Sequence, residues 1–208
     1  MKDFKFIAVI LLGRPGSGKD TQAELLAKKF GLVHLISSKI IKNSLKGDKK
    51  EIILEGKKYD AERERKILRD GRLTTFTFVS ALLKNEISKA AKRKRGIIMS
   101  ASPRSKTELK EEWPLLKKFY NGSIFFIHIK ISPKEVYVRN LNRHRQDLPE
   151  LDTRKIINRR LKMFNHYTLP VIKLLKKNKR ITEINGEQSI MKIHKDILWQ
   201  LQSKLRKK

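Results

Sequence analysis

The stretch that decides the fold runs over residues 6–30 and reads FIAVILLGRPGSGKDTQAELLAKKF. Its first part, residues 6–12, is a continuous apolar run rich in β-branched side chains. Such a run predicts a strand that is buried on both faces, as in parallel sheets. A loop with three glycines and a proline follows, and residues 21–30 then place apolar side chains at helical spacing. The order strand, glycine loop, helix predicts the start of a βαβ unit.

The glycine loop has the composition of a phosphate-binding site. Glycines let main-chain N–H groups curl around phosphate oxygens, and the helix that follows adds its positive end. Lys19 adds a point charge, and the general pattern has Ser or Thr directly after that lysine. This chain has Asp20 and then Thr21 at those positions. The residues predicted to hold the phosphates are Arg14, Gly16, Ser17, Gly18, Lys19, Asp20 and Thr21.

Short apolar segments alternate with helical patterns along the rest of the chain. Further strands are predicted at residues 32–36, 96–99, 123–129 and 180–184. Helices are predicted over most of residues 40–94, over 106–119 with an interruption at Pro114, and over 133–144, 153–167 and 189–207. This alternation predicts an α/β fold, in which helices flank a five-stranded parallel sheet with the strand of residues 6–12 at or near its centre. No repeat or linker indicates a second domain.

Composition narrows the function classes. The 208 residues include 50 Lys and Arg against 21 Asp and Glu, a formal net charge of +29 that favours phosphates, nucleotides or nucleic acid as partners. The absence of cysteine excludes a disulfide scaffold, a Cys-ligated zinc site and thiol catalysis. The apolar run at residues 6–12 is far shorter than the roughly 20 residues of a membrane span. No cleavage site follows it, so we expect a cytoplasmic protein without membrane contacts.

Along nearly its whole length the chain resembles the nucleoside monophosphate kinases, adenylate kinases in particular. Its loop differs from the family's G-x-P-G-S-G-K-G-T-Q only in Asp20, which replaces a glycine. Other matching segments, in the family's order, are ISS at 36–38, GRLT at 71–74, PR at 103–104, RNLNR at 139–143, RL at 160–161 and TLPVI at 168–172. The resemblance implies one P-loop domain with a three-layer sandwich. It also implies an inserted helical segment for the monophosphate at about residues 37–80 and a short lid at about residues 140–152.

The family reaction transfers the γ-phosphoryl group of ATP, bound with Mg²⁺, to a nucleoside monophosphate. Its transition state spreads negative charge over phosphate oxygens, so catalysis is mostly positioning and electrostatic stabilisation. By resemblance, Lys19 holds the ATP phosphates and Arg104 bridges the monophosphate and the transferred group. Arg143 and Arg160 would close over the phosphates from the lid side. The residues implied on the monophosphate side are Ser38, Lys42, Thr74, Arg104 and Glu108.

Departures from the family pattern affect the metal and the substrate. The aspartate expected at the end of the third strand is Ser100 here, and we predict that Asp20 and Thr21 supply oxygen ligands to Mg²⁺ instead. The alternative is that Asp20 only begins the helix, where the dipole favours an acidic side chain. The arginine of the family's monophosphate-binding helix is absent, and Lys42 is the nearest cation.

The position that reads adenine as glutamine in the family is Glu108 in this chain. A carboxylate presents only acceptors, which suit the N–H donors of guanine better than adenine. The alternative is that Glu108 is a surface helix residue and that another group reads the base. AMP and GMP both stay open as acceptors.

A second class of function also stays open. A catalytically impaired P-loop protein that binds RNA or another polyanion would explain the net charge and the basic runs at residues 89–95 and 204–208. The chain lacks the interleaved aromatic residues of a single-strand binder, and the retained loop with Arg104 and Arg160 favours the enzyme. We expect a monomer that binds nucleic acid only weakly and without specificity.

Overall fold

A computed structural model describes residues 6–70, 72–142 and 153–206. Its strands are β1 (Ala8–Leu12), β2 (Val33–Ile36), β3 (Glu51–Leu54), β4 (Lys57–Asp60), β5 (Ile97–Ser100), β6 (Ile124–Lys130) and β7 (Ile181–Asn185). Its helices are α1 (Lys19–Phe30), α2 (Ser37–Ser44), α3 (Ala61–Arg69), α4 (Phe76–Lys92), α5 (Lys106–Tyr120), α6 (Pro133–Leu141), α7 (Arg154–Met163), α8 (Leu169–Lys177) and α9 (Ile190–Arg206). A short π-helical segment, Phe164–Thr168, joins α7 to α8.

Five of the strands form a parallel sheet in the order β2-β5-β1-β6-β7. Strand β1 is central: Val9 pairs with Ile98 of β5 on one side and with Phe125 of β6 on the other. All five residues of β1 are buried, because helices cover both faces of the sheet. The predicted α/β fold and the central position of the first strand are confirmed.

Alternate residues of β1 enter the two apolar cores of the sandwich. Ile10 belongs to the cluster that contains Phe78 of α4 and Leu116 of α5. Val9 belongs to the opposite cluster, with Leu26 of α1 and residues of α9. Successive side chains of a strand point to opposite faces of a sheet. Strand β1 therefore packs against the helices on both faces.

The region at residues 40–94, which was predicted to be mostly helical, also contains an antiparallel hairpin of β3 and β4. Glu55 and Gly56 form its turn with φ angles of 51° and 74°, the left-handed backbone that tight hairpins require. Ile52 and Tyr59 pack against the larger core from the hairpin. The helical prediction was wrong here because the abundant lysines obscured a short apolar alternation.

Two helix predictions also need correction, and the end of a third predicted helix lies outside the described residues. Pro114 does not interrupt α5, which is continuous from Lys106 to Tyr120; Leu109 before the proline and Leu116 after it are both buried in the larger core. The helix predicted at residues 153–167 ends earlier as an α-helix, and the π-helical segment and α8 follow. The helix predicted at 133–144 corresponds to α6, and residues 143–152, with Arg143 and most of the predicted lid, lie outside the described residues. Among the helices described, none is both long and apolar enough to span a bilayer.

Candidate active site

The glycine loop lies at the carboxyl end of β1 and leads directly into α1. Ligands of open α/β sheets bind at this edge. Gly16 and Gly18 adopt left-handed φ angles of 78° and 86°. A Cβ atom at Gly16 would lie 2.5 Å from Nδ2 of Asn140, so the loop packs against α6 only because this residue is glycine.

Lys19 is the first residue of α1, and its side chain folds back over the loop. Its Nζ donates a hydrogen bond of 3.0 Å to the main-chain oxygen of Arg14 and lies 3.4 Å from Oγ of Ser17. Ser17 is fully buried, whereas Lys19 is half-buried and reaches two adjoining cavities. The predicted phosphate-binding lysine therefore lies at a surface that a ligand can reach.

The two cavities meet at a pair of cationic side chains. The smaller cavity, of about 180 Å³, is lined by Lys19, Arg104 and Arg160 together with apolar residues. The larger, of about 400 Å³, is lined by Gly16, Gly18, Lys19, Asp20, Thr21, Arg139, Arg160 and residues at the start of α9. Because Lys19 and Arg160 line both cavities, they lie where ligands of the two would come closest.

Arg104 and Arg160 reach the smaller cavity from different elements. Arg104 lies on the loop after β5, where its Nε donates to the carbonyl of Ala101 at 2.8 Å. The hydroxyl of Thr168 donates to the main-chain oxygen of Arg104 at 3.0 Å. Arg160 lies on α7, with Nη1 3.5 Å from Oδ1 of Asn140. The structure thus brings together three of the four predicted catalytic cations.

The side chain of Arg14, which was also predicted to hold the phosphates, makes its contacts outside the glycine loop. Its Nη1 donates to the main-chain oxygen of Ile131, just beyond β6, and its guanidinium lies 5.8 Å from the centre of the Phe164 ring. It lines neither of the two cavities that meet at Lys19. In this structure the side chain therefore ties the loop to the segment after β6, and the role of Arg14 in phosphate binding stays a prediction.

The residues predicted on the monophosphate side are divided by the structure. Thr74 lines a cavity of about 380 Å³ together with Leu73, Phe76, Met163 and Tyr167. The rings of Phe76 and Tyr167 pack edge to face. Leu73 and Met163 also line the smaller catalytic cavity, so the two cavities are adjacent. Ser38 and Lys42 are exposed on α2 and line none of these three cavities.

Glu108 lines none of these three cavities. It is only 1% exposed, and its Oε2 accepts hydrogen bonds from Oγ of Ser102 at 3.0 Å and from the main-chain N–H of Arg104 at 2.5 Å. Burial raises the pKa of this carboxyl group, while the Arg104 N–H and guanidinium oppose that effect. The predicted contact of Glu108 with a nucleobase is wrong for this structure, because the carboxyl group has no open face.

Asp20 and Thr21 both line the larger cavity, beside Lys19. Their carboxylate and hydroxyl oxygens are ligands that fit Mg²⁺, which takes one or two protein oxygens and completes its shell with water and phosphate. Ser100 is buried at the end of β5, and its Oγ lies 3.1 Å from Nε2 of His34. Burial lowers the pKa of His34. Within the described ranges, no cluster of three or more acidic or histidine side chains is arranged to hold a metal ion.

The sequence interpretation missed two residues that support the site. Asn140 is fully buried; its Nδ2 donates to the carbonyl of Val136 at 2.7 Å, and its Oδ1 faces Arg160. Arg139 lines the larger cavity, where its Nη2 donates to the main-chain oxygen of Gly186 at 2.7 Å. Both residues belong to the RNLNR segment at 139–143, for which the family resemblance implied a role only for Arg143.

Comparison with known proteins agrees with this geometry. A family model described as adenylate kinase matches residues 11–180. Adenylate kinase 1 of Nostoc sp. is 28% identical over 181 residues, which cover 87% of this chain and 91% of that protein. An adenylate kinase of Prochlorococcus marinus is 28% identical over 182 residues, or 88% and 91% of the two chains. UMP-CMP kinase 1 of Oryza sativa subsp. japonica is 26% identical over 202 residues, which cover 93% of this chain and 73% of that protein. With its P-loop and its cationic cleft, the chain belongs to the adenylate kinase family of nucleoside monophosphate kinases, which are ATP-dependent phosphotransferases.

Proposed function

We propose that this protein transfers the γ-phosphoryl group of ATP to AMP. The observation that carries the proposal is the convergence of Lys19, Arg104 and Arg160 on one cavity at the end of β1. Phosphoryl transfer needs fixed positive charges around the transferred group and no protein nucleophile. The family match favours this reaction over the alternative of an impaired protein that binds polyanions.

ATP is assigned to the larger cavity. The N–H groups of the glycine loop and the N-terminal end of α1 favour its phosphates, and Lys19 lies beside them. Arg139, Gln188 and Ile190 line the same cavity, and we assign them to the nucleoside end. Ser17, which was also predicted to hold the phosphates, is fully buried, and its Oγ lies 3.4 Å from Nζ of Lys19.

The monophosphate is assigned to the space between Arg104 and Thr74. The smaller cavity takes its phosphate, and the adjoining cavity at Leu73, Thr74 and Phe76 takes its nucleoside. The reason to prefer guanine rested on Glu108, and that reason is removed by its burial. The names of the Nostoc and Prochlorococcus relatives support AMP as the acceptor.

Mg²⁺ would be held by Asp20 and Thr21 and would neutralise charge on the ATP phosphates. The chain's own residues orient the reactants: Lys19 holds the ATP phosphates, and Arg160 lies between the two cavities. Arg104 is tied to the loop through Ala101 and faces the monophosphate side. Arg143 keeps its predicted role as a lid cation.

The domain organisation follows the same proposal. The segment at about residues 37–80, with α2, the hairpin and α3, is proposed to bind the monophosphate, and residues 140–152 to form the lid. We expect one P-loop domain that acts as a cytoplasmic monomer. Its net charge of +29 supports weak nucleic-acid binding that salt abolishes.

A coupled assay of ADP formation tests the proposed function. The purified protein is given MgATP with AMP, GMP, CMP or UMP in turn. We expect the highest kcat/KM with AMP. A clear preference for another monophosphate would overturn the choice of acceptor, and the absence of transfer to any of the four would overturn the reaction itself.

A further inference from the structure

A chain of buried polar groups lies directly beneath the loop that carries Arg104. Ser102, Glu108 and Glu112 are each no more than 1% exposed. Oγ of Ser102 lies 3.0 Å from Oε2 of Glu108 and 3.1 Å from Oε1 of Glu112. Glu108 and Glu112 are four residues apart on α5, so their side chains project from the same face of the helix. Two carboxyl groups therefore share one serine hydroxyl in a fully buried place.

The number of available hydrogens favours one protonated carboxyl group in this pair. A serine hydroxyl carries a single hydrogen and can donate it to only one of its two carboxyl neighbours. The second short contact then needs a hydrogen from the other carboxyl group, which donates to the serine oxygen. Two ionised carboxylates buried side by side would also repel each other and lack hydration. One proton held by the pair supplies the missing hydrogen and removes the repulsion between two buried carboxylates.

The surroundings decide which glutamate holds that proton. Glu108 accepts the N–H of Arg104 and lies in the field of the Arg104 guanidinium, both of which favour its ionised form. For Glu112, burial and the neighbouring charge of Glu108 raise the pKa, against smaller opposing effects of Ser102 and of Lys84 on α4. The Lys84 ammonium is bound to Glu55 and to Glu111 at 2.5 and 3.2 Å. These surroundings favour the proton on Glu112 and the negative charge on Glu108.

We propose that protonated Glu112 is a positioning residue for Arg104: it donates to Ser102, Ser102 donates to Glu108, and Glu108 accepts the main-chain N–H of Arg104. The chain of hydrogen bonds fixes the loop from the side of α5, while Thr168 binds the carbonyl of Arg104 from the π-helical segment. This inference rests on the proposed function, because Arg104 acts there on the phosphates. Glu112 itself touches no cavity that we assign to a substrate.

The sign of the pH dependence follows from the raised pKa. The folded protein keeps the Glu112 proton above the ordinary pKa of 4.5, whereas the unfolded chain releases it near that value. The contribution of this proton to stability is therefore complete below 4.5 and declines as the pH rises from 4.5 towards the pKa of the folded state. Above the folded pKa, Glu112 and Glu108 are both ionised and repel each other, and the loop of Arg104 loses its anchor.

The protonation of Glu112 can be tested without an activity assay, by measuring urea unfolding from about pH 5 to about pH 8. Glu112→Gln keeps a donor to Ser102 and removes the ionisable group, and Glu111→Gln is the matched control one residue away. The unfolding equilibrium constant of the wild type, divided by that of Glu112→Gln, is expected to rise with pH, by up to about tenfold per pH unit. The unfolding equilibrium constant of the wild type, divided by that of Glu111→Gln, is expected to stay constant with pH, because both proteins keep Glu112. Parallel curves for the wild type and Glu112→Gln would overturn the proposal.

Infrared spectroscopy supplies a second readout of the same proton. Between the ordinary pKa of 4.5 and the raised pKa of Glu112, the wild type and Glu111→Gln are expected to show the carbonyl stretch of a buried protonated carboxylic acid. Glu112→Gln is expected to lack it. Absence of that band from the wild type, or its persistence in Glu112→Gln, would overturn the assignment of the proton to Glu112.

Kinetics test the link to Arg104. Glu112→Leu removes the donor and is expected to lose about tenfold in kcat/KM for the monophosphate, whereas Glu112→Gln is expected to recover to within about threefold of the wild type. A Leu variant as active as the wild type, or a Gln variant as impaired as Leu, would overturn the positioning role. A wild type that transfers no phosphoryl group would overturn the proposed function, and the urea and infrared arms would still decide the protonation of Glu112.

Discussion

Nζ of Lys19 donates a hydrogen bond of 3.0 Å to the main-chain oxygen of Arg14, across the glycine loop. The amine therefore has a neutral acceptor in this structure, at the point where two cavities meet. A phosphate oxygen would give this ammonium group a charged acceptor, which adds the Coulomb attraction of an ion pair to the hydrogen bond. Lys19 is thus placed to exchange the carbonyl for a phosphate with a small movement of a flexible side chain.

Replacement of Lys19 by Met should abolish most of the phosphoryl transfer while the fold stays intact. We expect kcat/KM to fall by at least about tenfold, which corresponds to about 1.4 kcal/mol in the barrier. The free energy of unfolding should change by less than about 0.5 kcal/mol, because the side chain is not part of the core. Lys28→Met, an exposed change in the last turn of the same helix, is the control. Retention of more than a tenth of the activity would refute the role of Lys19.

Arg160→Ala should reduce kcat more strongly than it reduces stability. Arg160 lines both cavities, and loss of one fixed donor to a developing charge costs about 100-fold in comparable sites. Steady-state kinetics with both substrates varied measures the effect. Arg154→Ala, at an exposed position in the first turn of α7, should leave kcat unchanged. Equal kinetics for the two variants would remove Arg160 from the catalytic group.

Gly16→Ala should damage the loop more than backbone strain alone explains. The φ angle of 78° costs an alanine about 1–2 kcal/mol, and its Cβ would also lie 2.5 Å from Nδ2 of Asn140. Gly31→Ala has a similar φ of 65° but no atom within 4 Å of the new Cβ, so it isolates the strain. Thermal unfolding and the KM for ATP should both change more in Gly16→Ala. Similar values in the two variants would mean that the contact with Asn140 is unimportant.

Asp20→Gly tests the predicted metal ligand and restores the loop sequence of the family. With Mg²⁺ present, the variant should bind ATP more weakly and need more Mg²⁺ for half-maximal turnover. Without Mg²⁺ it should bind ATP more tightly than the wild type, because a carboxylate that repels the phosphates is gone. Calorimetric titration with and without a chelator measures both effects, with Glu24→Gln on the same helix as control. If the ATP affinity and Mg²⁺ requirement match those of the wild type, Asp20 only begins the helix.

Local patterns were enough to predict the centre of the fold. The uninterrupted apolar run of β1, the glycines after it and the helical spacing of α1 are all contained in adjacent residues, and the structure confirms each of them. The β3–β4 hairpin was missed because only Ile52, Leu54 and Tyr59 carry its apolar face among lysines and glutamates. A weak alternation over a few residues does not outweigh a helical composition on either side of it.

The candidate site depends on contacts between distant residues, which spacing alone does not determine. Lys19, Arg104 and Arg160 come from α1, the loop after β5 and α7, and only the resemblance to the family connected them before the structure did. For Glu108 the family resemblance was misleading, because the position of this residue in the motif suggested a contact with the nucleobase. In the folded protein its carboxyl group is buried and accepts a hydrogen bond from Ser102, whose hydroxyl also contacts Glu112.

Phosphorus NMR of a mixture of MgATP and AMP with the wild-type protein, compared with Lys19→Met, is the most direct test of the central claim. It reports the consumption of both reactants and the formation of the diphosphate product in one spectrum. We predict that the wild type converts ATP and AMP to ADP and that Lys19→Met converts them at least about tenfold more slowly. ATP that stays intact with AMP and with each of GMP, CMP and UMP, or equal conversion by the two proteins, would contradict the account.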